Sequence, residues 1–210
     1  MNAVPSRRIY GGASPEVRVA ERRARLLEAG LALLGTEGLR GTTVRGVIER
    51  ARLTPRYFYE SFQDLDSLIT AVYDGVVADL REAAMAALLA APDRTTDRVR
   101  AVVTTVIDFY GDDPRKGRLV LAEAMASPVL AERRLATSQM FAKMMTGEPI
   151  LHSDPSREIM MAARFIVGGF SEILTDWLQG DLSAERPELV ERCTALIMAT
   201  LISAATAGSA

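Results

Sequence analysis

The chain has one cysteine, one histidine and one tryptophan in 210 residues, and aromatic residues make up only 6% of it. A lone Cys193 cannot close a disulfide within the chain, and it reads as a small packing residue of a protein kept in a reducing compartment. His152 sits in the proline-flanked stretch "GEPILHSDP" without a cysteine or a second histidine, so it supplies neither a zinc set nor a Ser-His-Asp triad. The patterns G-x-x-x-x-G-K-[ST], G-x-G-x-x-G and G-x-S-x-G are missing. Asp112 and Asp113 stand beside a proline, where helix capping accounts for them. The sequence therefore predicts no catalytic residue, no metal and no cofactor.

Runs of alternating Val, Ile and Thr are also scarce, whereas Ala, Leu, Arg, Glu and Met are abundant, and this predicts an all-α fold. Hydrophobic residues make up 49%, enough for a real core. No basic-led apolar segment opens the chain, so a cytoplasmic protein is expected. The longest apolar run, Ile159 to Leu178, carries Arg164, Glu172 and Asp176, three groups that are costly in lipid. It is expected as a buried or interface helix, with no membrane partner.

The charge of −2 is unevenly spread: residues 1–60 hold eleven Arg against six Glu, and residues 61–210 hold fourteen Lys plus Arg against twenty-one Asp plus Glu. A basic first quarter followed by an acidic remainder predicts that only the first part meets a polyanion.

Residues 1–15 mix Gly, Pro, Ser and Arg without periodicity and are expected as a flexible basic arm, with Arg7 and Arg8 placed to lie along phosphates. A first helix is expected from Glu16, with Gly38 as its stop. Two short helices follow, the first capped by Thr42 or Thr43 and the second by Thr54 with Pro55 in its first turn. Asp64 is expected to cap a long helix that ends at Pro92, and further helices are expected at about 94–111, 113–125, 128–146, 155–179 and 185–206.

Four of the twelve aromatics fall in "TPRYFYESF", Thr54 to Phe62. At roughly 100° per residue, Phe58, Phe62 and Pro55 share one face, and Leu53 joins them as core. Arg56, Tyr57, Glu60 and Gln63 face the other way, with Tyr59 on the flank. Two short helices joined by a tight turn, apolar inside and polar outside, form the unit that presents a helix to the DNA major groove.

From Arg25 to Leu68, "LLEAGLALLGTEGLRGTTV" and "VIERARLTPRYFYESFQDLDSL" resemble the TetR family of bacterial transcriptional regulators. The likeness lies in an apolar first helix, a glycine, Thr-Thr-Val, a short helix, a turn, Tyr-x-x-Phe and a leucine-rich linker helix. It implies an N-terminal three-helix helix-turn-helix domain over residues 16–63. It also implies a C-terminal helical domain over residues 64–210 that binds a small-molecule effector and forms a homodimer through the last two helices. By matching position, Thr43, Arg45, Thr54, Pro55, Arg56, Tyr57 and Tyr59 are expected at double-stranded DNA. The sequence departs from the family pattern at the turn, where Arg52 replaces a glycine, and at the linker helix, where Leu65 replaces a phosphate-binding lysine.

In the C-terminal part, Phe109, Met125, Met140, Phe141, Met144, Phe165 and Trp177 are the flexible and aromatic groups expected to line a cavity for a mainly apolar ligand. Gly168 and Gly169 are expected to allow close helix approach. The leading function is an effector-responsive repressor. The alternative is a helical small-molecule-binding protein or enzyme that has lost specific DNA binding.

Overall fold

The computed structural model describes residues 14–146 and 156–207. Arg7, Arg8 and His152 lie outside the described residues. Among the described residues every regular element is helical. Helix α1 spans Pro15–Gly41, α2 Val44–Ala51, α3 Pro55–Ser61 and α4 Leu65–Ala90. Helix α5 spans Thr95–Asp112 and α6 Pro114–Gly117; a π-helical segment, Arg118–Glu123, leads into α7, Ala124–Ala126. Then come α8 (Ala131–Met145), α9 (Arg157–Gln179) and α10 (Arg186–Ala207).

The termini follow local chemistry. Ser14 accepts from the Val17 amide at 3.3 Å and Pro15 occupies the first turn, so α1 begins one residue before Glu16. Gly38 has φ 71°, which breaks the helix as expected, and one further turn follows to Gly41. Thr43 is the cap of α2, accepting from the Gly46 amide at 3.1 Å, while Thr42 is buried and donates to the Gly38 carbonyl at 2.8 Å. Thr54 stands at the cap position of α3, but its side chain makes no cap hydrogen bond, contrary to the sequence expectation. Asp64 and Ser67 form a reciprocal capping box at the start of α4.

Helices α1, α2 and α3 pack together around Leu26, Leu34, Val47, Phe58 and Phe62, and α1 also lies against α4. The same core continues through α4 and α5 to α9 and α10. Helix α10 is long and apolar enough to cross a membrane, yet its Leu189, Cys193, Ile197 and Leu201 are buried against this bundle. Helix α9 likewise turns Ile159, Ala163, Ile166 and Leu174 inward, while Phe165 of α9 and Leu196 of α10 are among the apolar side chains left exposed.

Candidate nucleic-acid interface and interior cavity

Helix α3 divides broadly as its periodicity predicts, with two corrections: Pro55, expected inside, is exposed, and Tyr57, expected outside, is half-buried. Phe58 is fully buried and Phe62 nearly so, whereas Tyr59 is 61% exposed. Leu53 is half-buried against the core. Pro55, expected on the inner face, is exposed, because the first turn of so short a helix projects beyond the helices that cover Phe58. Thr43, Arg45, Thr54 and Arg56 are also exposed. Tyr57 is half-buried, and the Arg22 guanidinium of α1 lies over its ring at 4.4 Å. Two of the exposed arginines are not idle: Arg45 pairs with Glu49 and Arg56 with Glu60, each at 2.8 Å along its own helix.

The turn between α2 and α3 closes around a non-glycine residue. Arg52 has φ 52° and ψ 47°, in the left-handed region. The Leu53 amide bonds to the Ile48 carbonyl and the Arg52 amide to the Glu49 carbonyl, the two bonds of a Schellman closure. Arg25 then donates to the carbonyls of Ala51 and Arg52, which α2 itself leaves unpaired. Leu65, the other departure from the family pattern, is half-buried against the core.

An interior cavity of about 220 Å³ lies among α4, α5, the π segment, α7, α8, α9 and α10. Of the seven residues expected to line it, Met125, Phe141 and Met144 do so. The other four do not. Phe165 is 73% exposed on the outer face of α9. Phe109 packs against the core beneath the Lys116 ammonium. The Trp177 indole donates to the Ala184 carbonyl at 3.0 Å and so closes the loop between α9 and α10. Met140 is half-buried on α8 but does not reach the cavity. Residue type marked flexible and aromatic groups correctly, but their helical phase decides which of them turn inward.

A family model described as bacterial regulatory proteins, tetR family, matches residues 26–72, the stretch from the middle of α1 into α4. The HTH-type transcriptional regulator BetI of Burkholderia thailandensis is 37% identical over 166 residues, which cover 77% of this chain and 83% of the relative. The chain belongs to the TetR family. The BetI regulator of Paraburkholderia phymatum is 28% identical over 178 residues, covering 81% and 87% of the two chains. A crystallised transcriptional regulator of Pseudomonas aeruginosa shares the fold with a TM-score of 0.76 at 16% identity, covering 93% of this chain and 100% of its own. These relatives are regulators, not enzymes, and this TetR-family chain is a helix-turn-helix transcriptional regulator.

In this TetR-family regulator the π segment touches both parts of the molecule. Val120 and Leu121 line the cavity. From the same segment Arg118 donates to the carbonyls of Gly35 (3.3 Å) and Thr36 (2.9 Å), and Glu123 accepts from the Leu39 amide at 2.9 Å. Arg115, one turn earlier, bridges Glu28 on α1 and Asp113, each at 2.8 Å. A side chain at position 35 would place its Cβ 2.3 Å from that of Arg115, so Gly35 permits the close approach. Sequence reasoning missed this clamp, because charges eighty residues apart give no periodic signal.

The sequence also missed the polar lining of the cavity. Tyr73 donates to Thr137 at 3.1 Å, and Arg134 and Ser138 stand beside Thr137 on α8. Burial pushes the Tyr73 and Tyr110 phenols above their usual range, so both are neutral at physiological pH.

Proposed function

We propose that this regulator is a cytoplasmic homodimeric repressor that holds a palindromic operator and releases it when a small, mainly apolar ligand fills the cavity. Residues 16–63 read the DNA and residues 64–210 bind the effector and form the dimer. Thr54, Pro55, Arg56 and Tyr57 enter the major groove at the start of α3, where Arg56 reaches guanine or phosphate. Tyr59 and Thr43 hold the phosphate backbone and Arg45 reads a base edge or a phosphate. Because the Thr43 hydroxyl already accepts from Gly46, its own proton is free to donate.

The observation that carries the reading is the π segment, one element with residues in the cavity wall and residues bonded to the end of α1. Such π-helical turns sit at a local register conflict and recur at functional sites. A ligand that favours a different packing of Val120 and Leu121 moves Arg118 and Glu123, and with them α1, which carries α2 and α3. Only a difference in ligand affinity between the two arrangements shifts the balance.

The dimer surface is the outer face of α9 and α10, where Met161, Phe165, Leu196 and Ile202 are exposed. Gly168 borders the cavity, whereas Gly169 is exposed and meets nothing within 4 Å in the protomer, which supports a close approach there by a second copy. Two copies then present their α3 helices to successive major grooves about 34 to 36 Å apart or a multiple of it.

Gel shift against the DNA flanking its own gene is the direct test. Salt-sensitive, sequence-selective binding is expected, and equal affinity for random duplex, or no binding at any concentration, overturns the reading.

A further inference from the structure

We propose that the cavity takes a small amphipathic anion, a carboxylate on an apolar chain, with its oxygens on Arg134 and the hydroxyls of Thr137 and Ser138. The proposal rests on the reading of this cavity as the effector site and adds the chemical class.

The lining is apolar over most of its extent, with Val99, Val103, Leu174 and Ile197 among its walls. Its polar groups come from α8 and α9, with Tyr73 and Tyr110 besides; on α8, Arg134, Thr137 and Ser138 stand at spacings of three and four and so lie side by side, and α9 adds Ser171, Glu172 and Thr175. Of the lining hydroxyls, Ser171 and Thr175 on α9 bond back to the carbonyl four residues earlier, as Thr104 and Thr105 do on α5, which uses up the hydroxyl proton. Among the described residues Thr137 and Ser138 make no such bond. Thr137 accepts from Tyr73 instead, which leaves its own proton for an acceptor in the cavity.

Arg134 is half-buried, and among the described residues no carboxylate pairs with it. Asp74, next to Tyr73, is held by the neighbouring Arg133 at 2.6 Å. The one lining carboxylate, Glu172, is exposed on α9, where water screens it. A guanidinium beside two free hydroxyl donors matches a planar carboxylate and repels a cation. The volume of about 220 Å³ is below the roughly 300 Å³ at which pockets for drug-sized molecules begin, so the ligand is small.

Calorimetric titration of the full chain with sodium octanoate, 1-octanol and octyltrimethylammonium at matched ionic strength separates the classes. Octanoate should bind about tenfold or more tightly than the other two, the size expected of one charge-assisted pair. Arg134→Met should remove that preference and leave octanol within about twofold. Ser138→Ala, which changes a single atom, should weaken octanoate severalfold if Arg134→Met does not fold. The proposal is overturned if octanol or the ammonium compound binds as tightly, if none of the three binds, or if neither variant lowers octanoate affinity.

Release of a fluorescent operator fragment, followed in parallel, distinguishes the two readings. Octanoate that binds without releasing DNA keeps the anion site and sinks the effector role. Release by the ammonium compound alone keeps the effector role and sinks the anion site.

Discussion

The guanidinium of Arg25 on α1 donates to the carbonyl of Ala51, the last residue of α2, and to the carbonyl of Arg52 at 3.2 Å. This contact stands at the point where the chain departs from the family's glycine. A non-glycine residue in the left-handed region costs about 1 to 2 kcal/mol. The two donated bonds satisfy carbonyls at the negative end of α2 and offset that strain. Arg52→Gly should therefore raise stability by about 1 kcal/mol, and Arg25→Met should lower it by about 1 to 2 kcal/mol. Urea unfolding midpoints of the two variants check this; a loss of stability in Arg52→Gly would place the strain elsewhere.

The rings of α3 should separate by phenotype. Phe58 is fully buried and packs edge-on to Tyr59 at 5.3 Å, so Phe58→Ala should cost about 3 to 5 kcal/mol. Tyr59→Phe keeps the ring and removes only the exposed hydroxyl. It should leave the unfolding midpoint unchanged and weaken operator binding severalfold in fluorescence anisotropy. If Tyr59→Phe binds DNA like the parent, its hydroxyl touches no phosphate.

That division was legible because α3 carries a 3.6-residue period and a tight turn on each side, so phase alone sorts Phe58 from Tyr59. The capping positions Thr43 and Asp64 were legible for the same local reason. Phe165 and Trp177 were misplaced in the cavity because hydrophobicity says that a side chain avoids water, not whether a partner or its own core covers it. The Arg115 clamp, the Arg25 contact and the Tyr73–Thr137 pair join distant segments by single polar bonds, which leave no trace in a pattern of apolar residues. The π segment inside the helix expected at 113–125 was likewise invisible, since one extra residue in a turn follows from tertiary packing.

Carboxylates compete for both of the exposed arginines proposed to meet DNA. Glu49 and Glu60 pair with Arg45 and Arg56 in the free protein, and both pairs must loosen if the arginines are to reach phosphates or bases. Their partners hold both guanidinium groups above their ordinary pKa, so the arginines stay charged throughout. Glu60→Gln removes the competing charge and should raise affinity for operator and random duplex alike, leaving their ratio unchanged. Arg56→Ala should reduce the slope of log affinity against log salt by about 1 if the residue sits on phosphate. Anisotropy titrations from 50 to 200 mM salt read both, and an unchanged slope together with unchanged affinity would remove Arg56 from the interface.

The α1 clamp carries a pH signature. The hydrogen bond from Arg115 holds the Asp113 carboxyl below its ordinary range. A depressed carboxyl pKa contributes stability that is complete above the unfolded value and is lost as pH falls through the folded one. Asp113→Asn should therefore be less stable than the parent by on the order of 1 kcal/mol at pH 7, with the same gap down to about pH 5. Below about pH 4 the two unfolding curves should converge. A gap that persists unchanged at pH 2 would mean that packing, not the ion pair, accounts for it.

Dimerisation can be broken without touching the fold, since the residues proposed for it are those the protomer leaves uncovered. Phe165 is 73% exposed, and with Met161, Leu196 and Ile202 it makes an apolar surface on α9 and α10 of the kind that marks a contact with a partner. Phe165→Glu costs the protomer no core contact and places four helices' worth of interface against a desolvated charge in the dimer. The variant should keep its helical circular dichroism and sediment as a monomer. A monomer meets only one half of a palindromic operator, so it should also lose most of the sequence-selective DNA binding while retaining α3 intact. If Phe165→Glu still sediments as a dimer, the two copies meet elsewhere, and the exposed glycines of α9 need another partner.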